Sequence, residues 1–139
     1  MAHSPIAGQP AITVAGCYDA SAAKQMQNVT CEGAFVSLTG SADPMPFPGN
    51  VSLDGTGVDA TTLATPLAGE QPAGDDGKTI FVVDTGGHAH TITTAANKIS
   101  PSHDTATFGG TVGSNVTLRA RNGVWYLVGT ALGVTFSEV

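Results

Sequence analysis

The chain has 139 residues, close to the modal size of one domain and long enough to bury roughly two-thirds of its unfolded surface in a single core. Only 12% of it is charged and the formal charge is −6, so the surface must be carried by Thr, Ser, Asn and Gly. Five scattered basic residues make no phosphate-binding stripe and no run approaches about 18 consecutive apolar residues, which argues against nucleic acid and membrane as partners.

Residues 1–10 lack a basic and then apolar leader, so synthesis in a host cytoplasm is expected. Met1 to Ala15 reads as an extended arm: Pro5 and Pro10 limit helix, and Ile6, Ile12 and Val14 are isolated apolar anchors. Asp19 to Gln27 is the one stretch with helical character, with Asp19 or Ser21 as cap and Ala22, Ala23, Lys24, Gln25 and Met26 as helix formers. Cys17 and Cys31 have no further ligands spaced for zinc and are expected as free thiols. A disulfide closing that loop would contribute about 3 kcal/mol in the chain-entropy view, but a reducing cytoplasm opposes it. These features define an N-terminal region over 1–34.

After it the periodicity is β throughout, because apolar residues come in short alternating runs cut by Gly, Asn, Asp and Pro. Phe35 to Leu38 is a short strand, and the connection Asp43-Pro44-Met45-Pro46-Phe47-Pro48-Gly49 is too proline-dense for a central strand yet carries two apolar side chains. Val51 to Leu53 follows, then a Gly/Thr-rich stretch over 54–65 and a turn over 69–77. Lys78 to Val83 is the strongest strand signal, and the wholly apolar run Ile80–Val83 predicts burial on both sides. His88 to Thr94 alternates, placing His88, His90, Ile92 and Thr94 on one face. Thr105 to Phe108, Asn115 to Ala120, Val124 to Val128 and Val134 to Phe136 complete the set, and Asn122-Gly123 is a strong hairpin signal. Seven or eight short strands over 35–139 predict an all-β fold, a small antiparallel β-sandwich of jelly-roll or tulip-like form.

Four motifs invite chemistry. Val82-Val83-Asp84-Thr85-Gly86 resembles the active-site turn of retroviral-type aspartic proteases, with Leu127-Val128-Gly129 resembling their downstream apolar element. Such an enzyme would bring one Asp84 from each of two subunits together to share a proton and activate a water. Asp-Thr-Gly after a strand is also an ordinary turn, and His88-Ala89-His90 interrupts the strand the protease needs. His88 and His90 have the spacing of a His-x-His metal pair, as in cupins, but Thr91 to Ser100 offers no carboxylate to complete it, so hydrogen-bonded, half-buried histidines are expected instead. The acidic and glycine spacing over Asp54–Asp59 is like a calcium loop without its terminal Glu and reads as a solvated turn. Arg119 and Arg121 share a polar strand face and suit a cross-strand salt bridge, while Trp125 suits a core anchor. No catalytic residue, cofactor or metal is therefore expected.

The order Gly77-Lys78-Thr79-Ile80, His90-Thr91-Ile92-Thr93-Thr94, Thr107-Phe108-Gly109-Gly110, Gly113-Ser114-Asn115-Val116-Thr117-Leu118, Asn122-Gly123-Val124-Trp125-Tyr126 and Gly133-Val134-Thr135-Phe136-Ser137 resembles bacteriophage capsid decoration, or cement, proteins over 74–137. The resemblance implies a non-enzymatic virion structural protein, a homotrimer that binds the major capsid protein on the outer capsid surface and stabilises the head. Low charge and short strands suit tight association around an axis, where neighbours can cover sheet edges. The arm, through Ile6, Ile12 and Val14, is then the expected capsid contact. A phage tail-fibre or spike module is the alternative, and the aspartic protease using Asp84 a more distant one.

Overall fold

A computed structural model describes residues 12–14, 17–19, 34–40 and 43–138. The chain divides into two compact units, residues 1–34 and 35–139. In the first, β1 (Ile12–Val14) pairs antiparallel with β2 (Cys17–Asp19), with Ile12 opposite Asp19 and Val14 opposite Cys17. Ile12 and Val14, expected in an extended arm, lie on a paired strand, and Asp19, one of the two cap candidates, ends β2. Ile6, Cys31 and residues 20–27 lie outside the described residues.

The second unit is all-β, with no helix among the described residues. Its strands are β3 (Phe35–Leu38), β4 (Gly49–Leu53), β5 (Ala60–Thr62), β6 (Thr79–Asp84), β7 (Thr91–Thr93), β8 (Thr105–Phe108), β9 (Asn115–Arg121), β10 (Val124–Leu127) and β11 (Val134–Ser137). They form a five-stranded sheet in the order β10-β9-β6-β4-β3 and a four-stranded sheet in the order β11-β8-β7-β5. The expected β-sandwich is present, but its sheets are mixed: β3–β4, β4–β6 and β5–β7 pair in parallel. β3 and β4 are parallel because the long connection over 39–48 returns the chain to the same end, and β4–β6 and β5–β7 because the chain alternates between the sheets from β4 to β7. β5 is the strand the sequence does not announce, since Ala60-Thr61-Thr62 has no large apolar residue.

Both sheets feed one core. The alternating β6 turns Ile80 and Val82 inward and leaves Phe81 and Val83 half-buried on the outer face, so the apolar run is not buried on both sides. Val51, Leu53, Val116, Leu118 and Trp125 join them from the same sheet, and Ile92, Ala106 and Phe108 from the other. Trp125 is fully buried with its indole N–H donated to the Ala64 carbonyl at 3.0 Å, an anchor of the kind expected. The proline-dense connection closes the core: Met45 is buried, and the Phe47 ring stands edge-on to Trp125 at 5.0 Å. Asn122 and Gly123 both take positive φ, at 51° and 79°, which is the type I′ geometry that Asn-Gly favours in a two-residue hairpin.

Register fixes which loops share an end. β3, β4 and β6 run in parallel and finish together, where β5, β7, β9 and β11 begin and β8 and β10 finish. Segments 54–59, 85–90, 109–114 and 128–133 therefore collect at one end of the sandwich. Segments 63–78, 94–104 and 122–123 collect at the other.

Candidate functional site

At the first end a histidine is enclosed between two aspartates, all three essentially sealed from solvent: His90 and Asp84 are 0% exposed and Asp59 3%. Asp84 is the last residue of β6, Asp59 immediately precedes β5, and His90 immediately precedes β7, so three chain crossings are joined here. The His90 Nδ1 accepts the backbone N–H of Asp59 at 2.9 Å, which places the ring proton on Nε2. Nε2 faces Asp84 Oδ1 at 3.3 Å, and the same oxygen accepts the Gly87 N–H at 2.7 Å. The Asp59 carboxylate comes back to the ring, its Oδ2 3.4 Å from Nδ1. His90 Nε2, Asp59 Oδ2 and Asp84 Oδ2 meet no hydrogen-bond partner in the described protein.

Local backbone geometry makes this enclosure feasible. A Cβ on Gly55 would lie 2.3 Å from the Asp59 carboxylate, and one on Gly86 would lie 2.5 Å from the Gly55 carbonyl oxygen. Only residues without a side chain let the Asp59 loop fold this closely onto the Asp84 turn. Thr85 and Gly86 both donate their N–H groups to the Leu53 carbonyl, at 3.1 and 3.0 Å, tying the turn to the end of β4. His90 also lends its carbonyl to the Phe108 N–H at 2.9 Å, joining β8 to the cluster.

The Asp84 carboxylate, singled out for its Asp-Thr-Gly turn, is fully buried and engaged inside its own chain, accepting the Gly87 N–H and facing His90. Metal chemistry is not built here. The two carboxylates flank opposite edges of one imidazole and Nε2 carries the proton, so no single ion can contact all three. No group of three or more metal-ligating side chains occurs among the described residues. His90 is more deeply buried than expected, while His88 is half-buried as expected, its ring edge-on to that of His90 with centroids 5.8 Å apart.

The calcium-like segment is dismantled by the fold. Asp54 accepts hydroxyl hydrogen bonds from Ser37, Ser52 and Thr85, and Asp59 turns inward to His90 instead of lying solvated. Arg119 and Arg121 share the exposed face of β9 as expected and take different partners: Arg119 Nε donates to Thr79 Oγ1 at 3.1 Å, and Arg121 forms an ion pair with Asp76 at 3.8 Å. Ile12 and Val14 sit on β1, and Ile6 lies outside the described residues.

Sequence reasoning missed two things. Asp59 as the partner of His90 could not be read, because the two are 31 positions apart. The exposed aliphatic side chains Val58, Val112 and Leu132 were readable in part, since each sits in a glycine-rich segment with no lysine, arginine or glutamate. No family model matches the chain, and no curated protein matches it in sequence.

Proposed function

We propose that this protein is a non-enzymatic virion structural subunit, a capsid decoration protein that binds the outer surface of a bacteriophage head as a homotrimer and stabilises it. The observation that carries the reading is a contrast at one end of the sandwich. His90, Asp59 and Asp84 are sealed beneath the surface, Asp54 and His88 are half-buried beside them, and the exposed residues above are small, uncharged or aliphatic. That is the chemistry of an assembly surface and not of a catalytic one. Low overall charge and a Thr-rich β surface suit a subunit that must persist in an extracellular particle.

The resemblance over 74–137 supplies the partner class, the major capsid protein. The test is co-sedimentation of the purified chain with undecorated heads of the phage that encodes it. Saturable binding at a copy number set by the capsid lattice, with heads made more resistant to heat, is the expected result. Absence of binding to intact expanded heads overturns the proposal.

A further inference from the structure

We propose that the His90 cluster is a proton-operated latch: uptake of a second proton by the ring releases the backbone of Asp59 and turns the ring to the Asp59 carboxylate. The latch is independent of the capsid proposal.

The end of the sandwich that holds the cluster is short of positive charge. Asp54, Asp59 and Asp84 stand there, and residues 54–59, 85–90, 109–114 and 128–133 contain no lysine or arginine. The Asp54 carboxylate is held by the hydroxyls of Ser37, Ser52 and Thr85. Asp59 and Asp84 instead flank His90, and Asp59 Oδ2 and Asp84 Oδ2 are sealed from solvent without a hydrogen-bond partner in the described protein. Carboxylates left in that state are costly, and among the described residues the imidazole is the one base beside both that can take on a positive charge.

Geometry dictates where the proton goes. Nδ1 accepts the Asp59 N–H at 2.9 Å, so the neutral ring holds its proton on Nε2, facing Asp84 Oδ1 at 3.3 Å. A second proton has Nδ1 alone to occupy. Once there it meets the Asp59 N–H donor against donor, and that hydrogen bond ends. An acceptor for the new Nδ1–H already stands 3.4 Å away, the unpartnered Asp59 Oδ2. Acid therefore exchanges a neutral fastening of the Asp59 main chain for an ionic one to its side chain. The step adds one solvent proton and breaks hydrogen bonds only.

The remaining neighbours keep the exchange local. His88 meets the ring edge-on with centroids 5.8 Å apart, and the Gly87 N–H holds Asp84 Oδ1 at 2.7 Å. From β8 the Phe108 N–H is donated to the His90 carbonyl at 2.9 Å, and residues 105–114 bring no titratable side chain. The Asp59 carbonyl accepts the Thr91 N–H at 2.9 Å, so β5 stays tied to β7 while the Asp59 N–H is freed.

The experiment is a nuclear magnetic resonance titration of the full chain from neutral to acid pH, reading the imidazole nitrogens and backbone amide exchange. The His90 nitrogens should pass from the Nε2-protonated tautomer to the doubly protonated ring. In the same step the Asp59 amide should exchange about tenfold faster, corrected for the pH dependence of exchange itself, which is the worth of roughly one buried hydrogen bond. The Phe108 amide should keep its protection. A ring that stays neutral until the domain unfolds, or one that charges while the Asp59 amide stays protected, overturns the proposal. Loss of protection at Asp59 and Phe108 together also overturns it, because the end then melts instead of exchanging partners.

Two variants separate the parts of the latch. His90→Gln retains an acceptor for the Asp59 N–H but nothing that titrates, and should abolish the step. Asp59→Asn removes the anion to which the charged ring turns, and should move the step to more acid pH. A step that persists in the first or stays in place in the second refutes the partner exchange, and the wild-type spectra decide alone where a variant does not fold.

Discussion

The two ends of the sandwich use the same functional group, a carboxylate that pins loops, in opposite ways. At the end carrying the Asn-Gly hairpin, the carboxylates lie in partly exposed loops. Asp75 Oδ2 accepts the Leu67 N–H at 2.7 Å and Oδ1 pairs with Lys78 Nζ at 2.8 Å, while Asp76 Oδ1 accepts the Asn122 N–H at 2.6 Å. At the opposite end, Asp59 and Asp84 are buried around a single imidazole and the surface is left to aliphatic tips. Water can stand in for a missing partner at the first end and cannot at the second. The difference teaches that burying the polar fastening leaves the exposed tips above it aliphatic, at the expense of tolerance to substitution below.

The sharpest way to break this contrast is His90→Ala, which leaves two buried carboxylates without the imidazole between them. Removing this buried ring opens a cavity and leaves the Asp59 N–H without its acceptor, so chemical denaturation should show a loss on the order of 2–5 kcal/mol or no folded protein. A loss under about 1 kcal/mol would mean that the cluster does not hold the loops. Less severe is the effect of filling the floor: Gly55→Ala drives a methyl into the Asp59 carboxylate and should destabilise by about 1–3 kcal/mol. Gly57→Ala, two positions on and with nothing within 4 Å, should be neutral or stabilising by up to about 1 kcal/mol. Equal effects at the two glycines would remove the steric argument.

At the charged end the expected effects are smaller. Asp76→Ala removes an acceptor from the hairpin N–H of Asn122 and should lower stability by about 1 kcal/mol, read as a shift in denaturation midpoint at constant slope. Smallest is the pH response of Asp75, whose carboxyl is held below its ordinary value of 3.8 first by the Lys78 hydrogen bond and then by the Leu67 N–H. A carboxyl lowered in the folded state contributes stability above its unfolded pKa and loses it as pH falls through the folded value. Stability should therefore decline a little less between pH 4 and the acid limb in Asp75→Asn than in wild type. An identical acid limb in the two proteins would remove Asp75 from the account.

Legibility in the sequence followed the range of the interaction. The β6, β8, β9, β10 and β11 strands and the hairpin at Asn122-Gly123 were readable because period-two alternation and turn chemistry are local. β5 was not, because Ala60-Thr61-Thr62 is a strand only by virtue of pairing with β7, with Thr61 opposite Ile92. Asp84 and His90 were both singled out, yet with chemistry that separate motifs suggest; bringing them to 3.3 Å made them one structural fastening. Nothing local distinguishes an Asp that activates water from one that closes on a histidine.

From its own residues the chain determined that it would be all-β, with one core, short strands and a surface nearly free of charge, since composition, alternation and turn residues act within a few positions. The tertiary structure alone decided that parallel pairs enter both sheets, that Asp59 meets His90 from 31 positions away, and that four loops gather at one end. These outcomes depend on which crossovers place strand ends side by side, and that is settled by the packing of the whole core at once and not by any segment of it.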